Sequence, residues 1–441
     1  MSEENLFATK AKGLYKSLCQ DEWHANTVGI LIALFSILIM AWWRPWGAVG
    51  AIRNWGDWIL YGLNVWDDAP RSILIASGSV IGIGFIAGSF VSANLGGDFA
   101  FRIPPVLEMC KGVVAGIFMG IGAALAGGCN VGGFYNAIGN LSAHGFAMWL
   151  GLVIGAIMGL KYIYWEMEHI TWGGGGAKTI ELPSALQVLL GVAAILGLGW
   201  AAYTYSCSDD SYMSSLGGLI IIAAALGYSM QRGRWCMIQG FREPHMTGDC
   251  TMAKSVALSI CILAIGAVVL KYPVSQRLTT IPSTFAAVVE AIEDEDIDGL
   301  DMDAILEDVD GIEVLQEPIA VLDKSNYVRG TFGWGGVVGG LVFAFGAMLA
   351  GGCGTGTLWR VGEGQIKLWI VVPFFGVSNA LMSAWFKAGN VEGGGKLGKY
   401  VFMPDTFLGF GGTLILILLA MGAWYLIVDW NEDSNKFIVD M

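Results

Sequence analysis

The chain has 441 residues, 55% of them hydrophobic and only 14% charged, with mean hydropathy +0.61 and formal net charge −13. Soluble domains carry about 25% charged residues, so there is too little polar material here to clothe a water-soluble globule. The net acidity also speaks against a nucleic-acid partner, which selects basic surfaces.

In chain order, the first 26 residues are polar and end in "CQDEWHAN", without the basic, apolar and small-residue succession of a cleavable signal. Apolar runs long enough to cross a bilayer (~20 residues each) then recur near residues 27–46, 72–95, 111–129, 145–165, 183–204, 213–231, 253–271, 331–352, 366–387 and 407–429. The expected fold is an all-α polytopic membrane protein of about ten membrane helices. Lys10, Lys12 and Lys16 ahead of the first run point to a cytoplasmic amino terminus, but later loops are nearly balanced in basic residues and do not reinforce it.

Many of the 64 glycines lie inside these runs, where small residues let helices approach closely. Clusters of them do something else. Residues 125–133 read "LAGGCNVGG", and 349–357 read "LAGGCGTGT". Consecutive glycines break a helix, and lipid cannot satisfy the freed backbone, so a break at membrane depth marks a buried or cavity-lining site. "GAALAGGC" (122–129) and "GAMLAGGC" (346–353) differ at one position. A weaker echo precedes each, "GDFAFRIPP" (97–105) against "MIQGFREPH" (237–245), aligning Arg102 with Arg242. Two units follow, about 71–205 and 211–430, after an amino-terminal segment, 1–70, with one extra membrane helix. The second Gly-Gly-Cys run lies five crossings after the first, an odd number, so the units are expected to be inverted, pseudo-symmetric repeats with short or broken helices meeting near the midplane.

The second unit is interrupted at about 275–328. Thirteen acidic and no basic residues stand between Glu290 and Glu317, the composition of a protruding soluble loop. Asp294, Asp296 and Asp298 with Gly299 resemble the opening of a calcium loop, but the twelfth position is Ile305 where a glutamate belongs, so the match is incomplete.

The eight cysteines include no CxxC pair and the four histidines are scattered, which removes the usual spacings for zinc, iron–sulfur and thioredoxin chemistry; no metal or cofactor is expected. Cys129 and Cys353, each between glycines, and Cys236 in "QRGRWCMIQGFRE" (231–243) are the candidate site thiols, with Gly127, Gly128, Gly351 and Gly352 offering backbone N–H groups and Arg102 and Arg242 offering charge. Thiols and amides together suit a sulfur-bearing anion.

The paired Gly-Gly-Cys motifs, "YSMQRGRWCMIQGFRE" (228–243) and "FRIP" (101–104) resemble the YeeE/YedE (sulphur-transport) family over about residues 72–425. The resemblance implies uptake of thiosulfate or a related sulfur compound across the cytoplasmic (inner) membrane, through a constriction between cysteines at the positions of Cys129 and Cys353, with Cys236 in the QRxxxC-type element. The first half departs from the pattern: "VSANLGGDF" (91–99) has no cysteine. Two other classes stay open. One is a membrane sulfurtransferase, a persulfide relay that hands sulfur or selenium to a small cytoplasmic carrier protein; the other is a structural subunit of a larger complex. No glycine run ends in the GK[ST] of a P-loop.

Overall fold

The computed structural model describes residues 3–170, 176–279, 327–390 and 397–439. The acidic stretch 290–317 and its calcium candidates Asp294, Asp296 and Asp298 lie outside the described residues.

The chain is an all-α, multi-pass membrane protein. Ten candidate spans are present among the described residues, one for each apolar run. The helices are α1 (Glu3–Tyr15), α2 (Ala25–Trp42), α3 (Ala48–Gly62), α4 (Ser77–Gly96), α5 (Val106–Leu125), α6 (Asn136–Gly139), α7 (His144–His169), α8 (Ser184–Ser206), α9 (Ser211–Arg232), α10 (Met237–Met246), α11 (Thr251–Thr279), α12 (Trp334–Ala350), α13 (Gly354–Gly362), α14 (Ile366–Trp385) and α15 (Gly409–Ser434). Two departures were not legible in the hydropathy. One is α3, a half-polar helix between the first two spans; the other is a two-stranded antiparallel ribbon, β1 (Ala100–Ile103) with β2 (Lys178–Glu181).

Glycine sets the packing. The backbone of α5 runs directly against α12, with Gly122 facing Gly339 and Phe343, and Gly346 facing Ala115 and Met119. Rising numbers on one helix meet falling numbers on the other, so α5 and α12 are antiparallel. The two Gly-Gly-Cys turns therefore end helices that run in opposite directions. Elsewhere Gly88 on α4 meets the backbone of Ala224 on α9, and Gly227 on α9 meets the backbone of Phe85. Lipid offers no hydrophobic drive between helices, so such close backbone contact supplies the association through dispersion.

Several charged side chains of the spans are paired, whereas buried Lys271 on α11 donates to the Asn140 carbonyl at 3.3 Å. Lys111 bonds Glu108 at 2.7 Å and Glu166 at 2.6 Å, and Lys367 bonds Glu108 at 2.6 Å and the Leu349 carbonyl at 2.8 Å. This quartet joins the start of α5 to the ends of α7 and α12 and the start of α14. Arg232 pairs with Asp98 and the Cys19 carbonyl, so its side chain is buried in an ion pair and does not reach outward to the headgroups. An isolated charge at such depth would cost several kcal/mol, on the order of 3 or more.

Candidate functional site

Four helices end in the same way. At Gly127 (φ +73°) and Gly351 (φ +80°) the chain enters the left-handed region, which glycine adopts without strain. The next residue closes back five positions: Gly128 N–H donates to Ala123 O at 2.8 Å, and Gly352 N–H to Ala347 O at 3.1 Å. The cysteine that follows is extended, with φ −72° at Cys129 and −76° at Cys353, and opens a new short helical segment. This is the Schellman-type closure of a helix C-terminus, which turns the chain while bonding a carbonyl of the last helical turn.

The same closure ends α9 and α4. Arg234 is left-handed (φ +45°), Trp235 N–H donates to Met230 O at 2.9 Å, and Cys236 follows. Gly97 is left-handed (φ +80°), Asp98 N–H donates to Ala93 O at 2.8 Å, and Phe99 follows. The fourth position thus holds a buried phenylalanine, packed edge-on to Phe90 and Phe101. The missing cysteine of the first half is a real difference in side chain on a retained turn.

Three of these turns bring their thiols together. Cys129, Cys236 and Cys353 are fully buried. The Cys236 thiol donates to Cys353 Sγ at 3.4 Å, and Cys353 Sγ also accepts Gly356 N–H at 3.3 Å and lies 3.5 Å from Thr355 Oγ1. The first turn of α13 is the wedge between them. A methyl group at Gly354 would lie 3.0 Å from Cys129 Sγ, and one at Gly356 would lie 2.6 Å from Cys236 Sγ and 3.2 Å from Cys353 Sγ. Around Cys129 the backbone amides of Val131, Gly132 and Ala48 face the sulfur. Asn130 stands beside the Cys353 thiol, completely buried and without a well-formed hydrogen bond on either amide atom. Soft sulfurs, amide donors and an unsatisfied amide in one small volume can hold a sulfur-bearing anion by S–H and N–H donation alone.

A cavity of about 380 Å³ opens on the Cys129 side, lined by Gly127, Gly128 and Gly132. Its walls carry Arg44, Arg53, Arg329 and Lys387, and no carboxylate among the described lining residues. Arg53 has a loose partner in Asp57 at 3.8 Å, and Arg44 donates to Ser77 Oγ at 3.2 Å. Tyr327 is buried in the same wall, and burial pushes its phenol up to about 12. Sequence reading missed this feature because its cations come from three distant segments, none with a motif.

The remaining sequence candidates are spread. Gly127 and Gly128 border the cavity, whereas Gly351 is exposed on the other side of the thiols. Arg102 lies on β1 and pairs with buried Glu363, which Arg234 also approaches at 3.6 Å. Arg242 lies on α10 and pairs with its neighbour Glu243. The two arginines aligned by the sequence echo thus occupy unlike places, and neither is bonded to a site thiol. Taken by the turns, Phe99 corresponds to Cys236, which sets Arg102 against Gln239.

A multi-pass helical bundle in which three of four like helix breaks converge on buried thiols, beside a cationic cavity, has the architecture of a membrane transporter. The chain belongs to the sulphur-transport family, whose model matches residues 2–158 and 312–438. It is 24% identical to a protein described as a probable transporter, YedE, of Escherichia coli K12, over 88% of this chain and 87% of that one. It is 29% identical to the thiosulfate transporter TsuA of E. coli K12, over 49% of this chain and 48% of the other. A 43-residue stretch is 46% identical to the thiosulfate transporter TsuA of Spirochaeta thermophila.

Tyr327 gives a pH-dependent prediction. Its phenol keeps its proton in the folded protein to about pH 12, whereas the unfolded chain releases it near the ordinary 10.0. Folded stability is therefore unaffected below pH 10, falls between pH 10 and 12, and levels off above. A Tyr327→Phe variant should lose one late tyrosinate in an absorbance titration and show a shallower fall in unfolding temperature across that window.

Proposed function

We propose that this protein conducts a small sulfur-containing anion, thiosulfate in the first instance, across the cytoplasmic membrane through the constriction formed by Cys129, Cys353 and Cys236. The single observation that carries the reading is the convergence of three buried thiols on the first turn of α13. The family and the named relatives support the substrate class. In this reading the cationic cavity collects the anion, the amides behind Cys129 take its oxygens, and its terminal sulfur passes between thiols by successive S–H···S contacts with no covalent step. Several weak sites in series permit both entry and release. The four matching closures support a division into two inverted units, 71–205 and 211–430, each contributing two turns, with 1–70 and the insert at about 275–328 as additions.

The test is uptake of radiolabelled thiosulfate into proteoliposomes. Saturable uptake by the wild type, lost in Cys129→Ala, Cys353→Ala and Cys236→Ala, is the expected result. No uptake by folded wild-type protein overturns thiosulfate as the cargo. Neutralising Arg44 or Arg329 to glutamine should act differently. Each should lower uptake at low thiosulfate several-fold, leave the saturated rate nearly unchanged, and weaken the dependence on ionic strength, because vestibule charge raises local anion concentration.

A second reading is favoured by the thiol contact at 3.4 Å: a sulfurtransferase in which one thiolate takes the outer sulfur of thiosulfate, forming a persulfide and releasing sulfite, and passes it to a small cytoplasmic carrier protein. A mass gain of one sulfur on a single cysteine during turnover would support it, and unmodified cysteines during uptake would remove it.

A further inference from the structure

The Cys236–Cys353 pair is placed for chemistry that passage of an anion does not need. We propose that these two thiols form a reversible dithiol–disulfide couple, oxidised by hydroperoxide, and that the disulfide shuts the constriction.

The geometry is specific to this pair. The sulfurs are 3.4 Å apart, and a disulfide is closed at about 2.05 Å, so the side chains must approach by about 1.4 Å. Each thiol sits on an extended residue that caps a separate short helix, α10 for Cys236 and α13 for Cys353. The residues are 117 apart in sequence, so the bond would fasten two elements that the chain itself leaves independent. Cys129 is held away from this pair on the other side of the α13 turn, against Gly354. Cys250, the remaining buried cysteine, donates to the Gly248 carbonyl at 3.4 Å and neighbours Asn431.

The order of steps follows from the hydrogen bonds. Cys353 Sγ receives the Cys236 thiol proton and the Gly356 N–H, so it is the attacking sulfur. It displaces water from hydrogen peroxide: an S–O bond forms, the O–O bond breaks, and Cys353 becomes a sulfenic acid. Cys236 then attacks that sulfur: the S–S bond forms, the S–O bond breaks, and a second water leaves with the remaining proton. Two thiols lose two electrons and two protons, and one peroxide becomes two waters. Gly356 donates its N–H to Cys353 Sγ, and a Cβ built on it would stand 2.6 Å from Cys236 Sγ, so drawing the sulfurs together closes the gap at the α13 turn. The disulfide stands on geometry alone; the claim that it shuts the constriction rests on the transport reading above.

The experiment uses the full chain purified in detergent, treated with hydrogen peroxide and then freed of it by buffer exchange. Intact mass and non-reducing peptide mapping should show loss of two hydrogens and one linked peptide pair containing Cys236 and Cys353, both reversed by dithiothreitol. In Cys236→Ser the second step is blocked, and Cys353 should be trapped as its dimedone adduct. If Cys236 and Cys353 remain thiols when exposed Cys110 and Cys207 are fully oxidised, or if Cys129 is linked in their place, the couple is overturned. The wild-type map decides this even if the serine variant fails to fold. In proteoliposomes, thiosulfate uptake should fall in proportion to the disulfide and return on reduction; a full disulfide with undiminished uptake overturns the shutting. Absence of uptake in every sample counts against the transport reading and leaves the mass result to judge the couple.

Discussion

Replacing Gly356 with valine should stop thiosulfate uptake while leaving the protein folded. The Cβ alone would stand 2.6 Å from Cys236 Sγ and 3.2 Å from Cys353 Sγ, inside the contact distance of carbon and sulfur, and the two valine methyls would fill the space between the thiols. Overpacking a buried site costs about 1–3 kcal/mol, which a bundle of this size absorbs. On the proposed route the anion and the side chain need the same volume, so the expected blockage is near complete. The three atoms nearest that Cβ position all belong to the Cys236 and Cys353 side chains, so the strain falls first on two side chains rather than on backbone. Expected are normal expression, a monodisperse elution profile and at least a tenfold fall in uptake. Gly411→Val on α15, where nothing lies within 4 Å, is the control and should transport as wild type. Undiminished uptake by Gly356→Val would place the route elsewhere.

The second large effect concerns assembly. Gly88→Leu or Gly227→Leu should disrupt the contact of α4 with α9, because each glycine faces the partner helix's backbone, Ala224 and Phe85 respectively. A backbone cannot rotate away, so the helices must separate. Separation forfeits dispersion along the whole contact, where each atom pair contributes only about 0.1–0.2 kcal/mol but many are lost together. These helices end in the Asp98 and Trp235 closures, so their displacement also shifts Phe99 and Cys236. We expect several kcal/mol of destabilisation, beyond the usual range of about 0.5–3 for a point change, read as aggregation or a lower unfolding temperature in detergent. Gly197→Leu and Gly199→Leu on α8 have nothing within 4 Å and should be silent. A stable Gly227→Leu protein would refute the packing.

The four cationic residues Arg44, Arg53, Arg329 and Lys387 and the three thiols lie in unlike surroundings. Past Gly127 and Gly128 the thiols face S–H and backbone N–H donors, with Arg360 of α13 bonded to the Gly351 carbonyl nearby. Several charges outside the cavity are paired: Arg232 with Asp98, Lys111 with Glu108 and Glu166.

Membrane class, number of spans and the two Gly-Gly-Cys breaks were determined by sequence alone, because each is a local property. Twenty apolar residues cross a bilayer whatever lies elsewhere, and consecutive glycines end a helix for reasons of backbone conformation. Cys129 and Cys353 were visible because one eight-residue phrase occurs twice. Only the tertiary structure decided that Cys236 touches Cys353, that Gly354 and Gly356 form the wedge between thiols, and that Arg44, Arg53, Arg329 and Lys387 share a cavity. Those groupings depend on which helix faces meet and at what depth, which is set by glycine-to-backbone contacts between segments up to hundreds of residues apart. The arginine echo misled for the same reason. Arg102 and Arg242 match in the text, but one residue stands on a strand and the other on a helix. The physical equivalence lies three residues earlier for Arg102 and six for Arg242, in turns whose hydrogen bonds are identical and whose letters are not.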